Sequence, residues 1–315
     1  MTILKAPSSR SQFRHRPGPG LRGTSRPLLL LLVLAGCAPK TTPTVDLATR
    51  LDCLRQHDLA VVAAHRGQPD QRAAENAMSS FTASLAAGVP FLEIDVATTR
   101  DGALVLMHDD TLDRTTTGTG PTASRTLAEV EAVKLKRPDG TVLDERVPRF
   151  PDVLEWGRSA RAYFELDVKR TTKFADVVSA VKAARMEDRV LVVTYTLDDA
   201  KTVHALDPRL MISVTMEKPD DLAAVRAALP LDRLLGWTGT ANPRPAFFSA
   251  LRAAGVEPIF GTLGRAGVRL DDVYASDGNP SEYRDLVGLG VVMIASDAAV
   301  VAQRTIGTGY RACFQ

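Results

Sequence analysis

The 315-residue chain is short of cysteine, of long apolar runs and of glycine-rich phosphate turns. Three cysteines exclude a disulfide-dense scaffold and any zinc ribbon that needs four thiolates. The only long apolar run is Leu28–Ala35, which excludes a multi-span membrane protein. Residues 1–36 carry six basic groups and no acidic one. Without them the remainder holds 33 basic against 37 acidic groups, a net charge of −4 in place of the whole chain's +2. A mildly acidic body has no electrostatic reason to bind nucleic acid, and no protein partner can be inferred. A composition of 45% hydrophobic and 24% charged residues is that of a folded soluble protein, large enough for one large domain or two modest ones.

The basic N-terminal stretch runs into Leu28–Ala35 and then Gly36-Cys37. Eight apolar residues make about 12 Å of helix, against about 30 Å of bilayer core. The segment therefore reads as the core of a signal peptide, residues 1–36. Leu34-Ala35-Gly36-Cys37 resembles a bacterial lipobox, which makes Cys37 the expected lipidation site. Ala38 follows where an Asp would suit inner-membrane retention. The expected location is thus the cell envelope, anchored to the outer membrane and facing the periplasm or the cell surface. Ordinary secretion with cleavage nearby is the alternative. Residues 37–50 are polar and read as a tether, with the folded body at 51–315. Export implies an oxidising compartment. Cys53 and Cys313 lie near the two ends of that body, and chain ends often meet, so a Cys53–Cys313 disulfide is expected.

From residue 59 onward, β-branched runs alternate with amphipathic stretches. Strands are predicted at 59–64, 91–97, 162–169, 190–195, 210–215, 234–237, 256–261 and 291–295. Helices are predicted at 77–87, 173–184, 219–228, 245–254 and 281–289. Eight such units predict an α/β fold, a (β/α)8 TIM barrel; a doubly wound open sheet is the alternative. The latter is disfavoured because no strand runs into a Gly-rich phosphate turn. The run 104–108 follows Val96 too closely for a parallel crossover, and Asp101-Gly102 is a hairpin signal. It should therefore return antiparallel and bring His108 back to the end of the second strand. Residues 110–151 lack a barrel strand and read as an insertion over the mouth.

The chemistry-bearing residues fall at the C-terminal ends of these strands, where barrels build their sites. His65-Arg66-Gly67 ends the first and supplies a proton carrier and a planar cation. Glu93 and Asp95 share one face of the second, because side chains alternate with period two. Two buried carboxylates need a positive partner, and a hard divalent cation fits. On the third strand Glu165, Asp167 and Lys169 share a face. Asp167 is suited to complete the carboxylate set and Lys169 to meet an anion. Glu165 reads as the partner of Lys169 in an internal ion pair. Two histidines beside a metal site suit acid–base phosphoryl transfer.

Several motifs then follow in order: His65-Arg66-Gly67, Glu75-Asn76, Glu93-Ile94-Asp95-Val96, Thr99-Arg100-Asp101-Gly102, His108-Asp109-Asp110, Leu112-Asp113-Arg114-Thr115-Thr116 and Leu166-Asp167-Val168-Lys169. Together they resemble the glycerophosphodiester phosphodiesterase family. The resemblance implies a TIM barrel that hydrolyses glycerophosphodiesters to glycerol 3-phosphate and an alcohol, with Mg2+ or Ca2+. It makes His65 and His108 the acid–base pair. Glu93, Asp95 and Asp167 would hold the metal, Arg66 and Lys169 would contact phosphate, and Glu75-Asn76 would shape the mouth. Departures are Asp167 where the family usually has Glu, Ala77 where Thr is usual, Pro258-Ile259-Phe260-Gly261-Thr262 where a Trp-Thr-containing strand is usual, and Ala295-Ser296-Asp297-Ala298 where Thr-Asp-x-Pro is commoner. The alternatives are a lysophospholipase D or phosphoinositide-type hydrolase, and an inactive surface-binding lipoprotein.

Overall fold

The computed structural model describes residues 45–315 continuously, and 12, 14, 15, 18 and 20 singly before them. The signal-peptide reading, the lipidation of Cys37 and the tether up to residue 44 lie outside the continuously described residues. Eleven strands occur in that region: β1 (Val61–Ala64), β2 (Phe91–Thr98), β3 (Leu104–Leu106), β4 (Lys134–Lys136), β5 (Val142–Arg146), β6 (Tyr163–Val168), β7 (Val190–Thr194), β8 (Met211–Thr215), β9 (Leu234–Trp237), β10 (Glu257–Gly261) and β11 (Met293–Ser296). Eight of them pair in parallel in the order β1-β11-β10-β9-β8-β7-β6-β2, and β1 also pairs with β2. The sheet is therefore closed into a TIM barrel, and the open-sheet alternative falls.

Alternation along each strand sorts side chains into two cores. Leu92, Ile94 and Val96 of β2 and Leu166 of β6 point outward onto the helices. Inside the barrel, Val61, Phe91, Tyr163, Leu191, Met211, Leu235, Ile259 and Met293 form a separate cluster. The floor of that interior is closed by the helix Leu47–Gln56, whose Leu47, Leu51 and Leu54 are buried against it. Asp46 caps the helix by accepting from the Thr49 N–H. This corrects the boundary read from sequence: residues 47–50 belong to the folded body rather than to a polar tether. Cys53, on the same helix, is bonded to Cys313. Among the described residues no helix is long and apolar enough to cross a membrane.

The hairpin forms as the short connection requires, with Val96 opposite Leu106 and Thr98 opposite Leu104. The Met107 N–H then donates to the Asp95 carbonyl at 3.0 Å, which sets His108 beside the end of β2. Residues from 110 onward hold the β4–β5 ribbon and a short capped helix, Leu127–Glu131. Their apolar side packs on Ala74, Ala77, Val105 and Met107. The inserted segment ends at Arg149, since the barrel helix Phe150–Ala160 carries Pro151 in its first turn, where a missing N–H costs nothing.

Candidate active site

Strand β1 delivers His65 through a tight turn. Arg66 sits at φ 54°, and Gly67 at φ 68° has no room for a Cβ, which would lie 2.1 Å from the Phe81 ring. The strained turn aims the Arg66 N–H at the Glu93 Oε2, 2.7 Å away. His65 Nδ1 lies 2.6 Å from Asp297 Oδ1, and its Nε2 faces Glu93 Oε2 at 4.0 Å. Burial would raise the Asp297 carboxyl, but His65, the Gly264 N–H and Arg269 overcome it and hold it below the usual range. An ionised carboxylate only accepts, so His65 Nδ1 carries the proton and Nε2 is left free for chemistry.

His108 repeats the arrangement. Its Nδ1 is 2.7 Å from Asp109 Oδ1. Hydrogen bonds from Arg114 push Asp109 well below the ordinary carboxylate range. His108 Nδ1 is therefore also the protonated nitrogen. His108 shares a cleft with Asp167, Lys169 and Tyr195.

Between the two imidazoles lie Glu93, Asp95 and Asp167, all buried, with one oxygen from each within 4.8 Å of the others. The register β2–β6 places Asp95 directly beside Asp167, and Glu93 beside Glu165. Asn76, itself at φ 51°, grips Asp95 from both sides. Its amide donates to Oδ2 at 2.7 Å, and its Oδ1 accepts the Asp95 N–H at 3.1 Å. Burial would raise Asp95, but the Lys169 ammonium and His108 hold it low. Burial pushes Glu93 well above its ordinary range, and the Asp95 and Asp167 charges add to it. The Tyr195 hydroxyl donates to Asp167 Oδ2 at 3.0 Å, while Oδ1 has no partner. An all-oxygen donor set with a buried, unpartnered carboxylate oxygen fits a hard divalent cation.

Two sequence expectations need correction. Lys169 does not pair with Glu165: its Nζ bridges Asp95 at 2.7 Å and Asp167 at 2.8 Å. Glu165 lies one layer deeper, with Oε2 unpartnered, and burial with the Asp167 charge pushes its carboxyl up to about 8. Glu75-Asn76 does more than shape the mouth. Besides the Asn76 grip on Asp95, Glu75 holds both Arg66 (2.8 Å) and Arg114 (2.7 Å). Of the residues read as phosphate contacts, Arg66 is thus tied to Glu75 through Nη1, with Nε unpartnered.

Beside the carboxylates is a cavity of about 150 Å³, lined on its apolar side by Val193, Trp237 and Leu263. Trp237, at the end of β9, packs against Gly261 of the neighbouring β10. A Cβ at Gly261 would lie 2.6 Å from Trp237 Cη2, so the glycine is what admits that ring. Asp297, Tyr195 and Arg114 were not assigned roles from sequence. An acid directly after the last barrel strand, in Ala295-Ser296-Asp297, was the one available signal.

A closed (β/α)8 barrel whose mouth joins a carboxylate cluster to two Asp-held imidazoles defines the class: a TIM barrel with a charged site at the C-terminal ends of its strands. The glycerophosphoryl diester phosphodiesterase family model matches residues 65–271, and the chain belongs to that family. A glycerophosphodiester phosphodiesterase of Caldanaerobacter subterraneus is 28% identical over 160 residues, which cover 49% of this chain and 65% of that protein. One of Bacillus subtilis is 24% identical over 223 residues, covering 65% of this chain and 75% of that protein. The chain spans less than two thirds of the length of two of the curated relatives it matches, 63% and 65%. The fold matches a glycerophosphoryl diester phosphodiesterase from Parabacteroides distasonis with a TM-score of 0.71 at 24% identity, covering 78% of this chain and 86% of the other. It also matches an Oleispira antarctica phosphodiesterase in complex with the product sn-glycerol-3-phosphate, with a TM-score of 0.61 at 19% identity, covering 80% and 98%.

Proposed function

We propose that the chain hydrolyses glycerophosphodiesters to glycerol 3-phosphate and an alcohol, with His65 and His108 as the acid–base pair. The observation that carries this reading is the pair of Asp-oriented imidazoles, each with Nε2 unencumbered, at one carboxylate cluster. One Nε2 takes the proton of the attacking hydroxyl, from water or from the substrate's own glycerol. The other, entering the step as imidazolium, gives its Nε2 proton to the leaving alcohol oxygen. Arg66 and Lys169 meet the phosphoryl oxygens. Glu93, Asp95 and Asp167 would hold Mg2+ or Ca2+, which when bound supplies further positive charge to those oxygens. The cavity beside them, about 150 Å³, has room for a group the size of one benzene ring, which suits glycerol.

His65→Ala and His108→Ala are each expected to lower kcat on glycerophosphocholine by about 10²–10⁴-fold with unchanged thermal unfolding. Wild-type rates in either variant would refute the assignment. Release of choline from lysophosphatidylcholine at a higher kcat/KM would favour the lysophospholipase reading instead. We also propose that the chain is exported and acylated on Cys37, so that it works at the cell envelope. Metabolic labelling with a fatty acid, lost in Cys37→Ala, is the test.

A further inference from the structure

At the end of the barrel opposite the mouth lies a cleft of about 630 Å³ lined by Arg50, Arg161, Arg189 and Arg311, with Tyr163 and Phe314 between them. Among the described residues none of the four arginines pairs with an Asp or Glu side chain, and Arg161, Arg189 and Arg311 make no ion pair at all. No acidic residue precedes Asp46 in the sequence. Arg50 donates to the main-chain oxygens of Cys313 (3.1 Å) and Gln315 (3.3 Å) and lies over the Phe314 ring. Arg189 stacks on Tyr163, its guanidinium carbon 5.1 Å from the ring centre, and its Nη1 is buried without a hydrogen-bond partner. Buried donors are almost always satisfied, and like charges gathered in one cleft repel one another. Both features call for an anion. Guanidinium forks match the oxygens of a phosphate group in geometry and charge.

We propose that this cleft is a second anion site, which takes a phosphate group through Arg161, Arg189 and Arg311. Two sources offer that chemistry. One is a free phosphate or phosphomonoester. The other is the headgroup of an anionic phospholipid, because the chain enters the helix Leu47–Gln56 beside the cleft, ten residues after Cys37. The disulfide helps to build the site, since Cys313 draws Phe314 and Gln315 under the floor of the barrel.

The test compares the full-length protein with an Arg161→Gln/Arg311→Gln double variant, both exposed positions far from the mouth, so that turnover should be unchanged. Calorimetric titration with inorganic phosphate should reveal two sites in the wild type. In the variant one of them should be at least about tenfold weaker, because a charge-assisted hydrogen bond is lost at each position. Vesicle pelleting, in a Cys37→Ser background that removes acylation, compares phosphatidylglycerol-containing with pure phosphatidylcholine vesicles. Loss of phosphate binding alone supports the free-phosphate source. Loss of phosphatidylglycerol-dependent pelleting supports the headgroup. Identical titrations and identical pelleting in wild type and variant overturn the proposal.

Discussion

His65 and His108 have the same problem and the same solution. A neutral imidazole has two tautomers, and catalysis needs one of them. Asp297 and Asp109 impose it by accepting from Nδ1. Asp297 is anchored in turn by the Gly264 N–H, Arg269 and Gln71. Asp297→Asn keeps that shape but offers an amide able to donate, so the tautomer is no longer fixed. The expected result is a fall in kcat of about 10²–10⁴-fold, a small change in KM and a displaced pH–rate profile. An unaltered profile would reduce Asp297 to a scaffold residue.

Neighbouring strands explain what could and could not be read in advance. All eight barrel strands fall within two residues of their predicted bounds, because each is a short β-branched or apolar-rich run bounded by turn residues. Glu93, Asp95 and Asp167 were legible for a related reason: period-two alternation puts a charged face inside the barrel. The alternation reports the face but not the depth. That is why Glu165 was paired with Lys169, whose long side chain instead reaches across to Asp95 on the adjacent strand. Asp297 lies 232 residues from His65, and only closure of the barrel brings them together. The helix Leu47–Gln56 was missed because its polar residues dominate the pattern and its apolar stripe gains meaning only against the barrel floor. The packing of Trp237 of β9 on Gly261 of β10 is of the same kind. Gly261→Trp should clash with Trp237, cost at least about 1–3 kcal/mol of stability and raise KM. Adding Trp237→Gly should restore much of both, measured by urea unfolding and steady-state kinetics. Additive losses in the double variant would show that the two positions do not share one space.

At the scale of the whole molecule, two features govern stability. Arg55 is shared between Glu257, at 2.8 Å, and the half-exposed Asp52. Burial outweighs this divided partner and pushes the Glu257 carboxyl up to about 7. A raised carboxyl pKa means that the folded state holds the proton more tightly than the unfolded one. This contribution is therefore complete below the ordinary value of 4.5 and is lost as pH rises towards 7. Glu257→Gln should flatten the decline across that window by on the order of 2–3 kcal/mol relative to wild type, in urea titrations at several pH values. Parallel curves would place the ionised carboxylate stably beside Arg55. The Cys53–Cys313 bond closes a loop spanning 260 residues. Its removal in a Cys53→Ser/Cys313→Ser variant should cost about 2–5 kcal/mol while leaving the distant mouth and its kcat intact. Reductant should reproduce that loss in the wild type.

The floor helix has a directional consequence. The residues that lead into it join the molecule at the blunt end of the cylinder, so whatever grips them leaves the opening, and the path of an entering diester, clear on the far side.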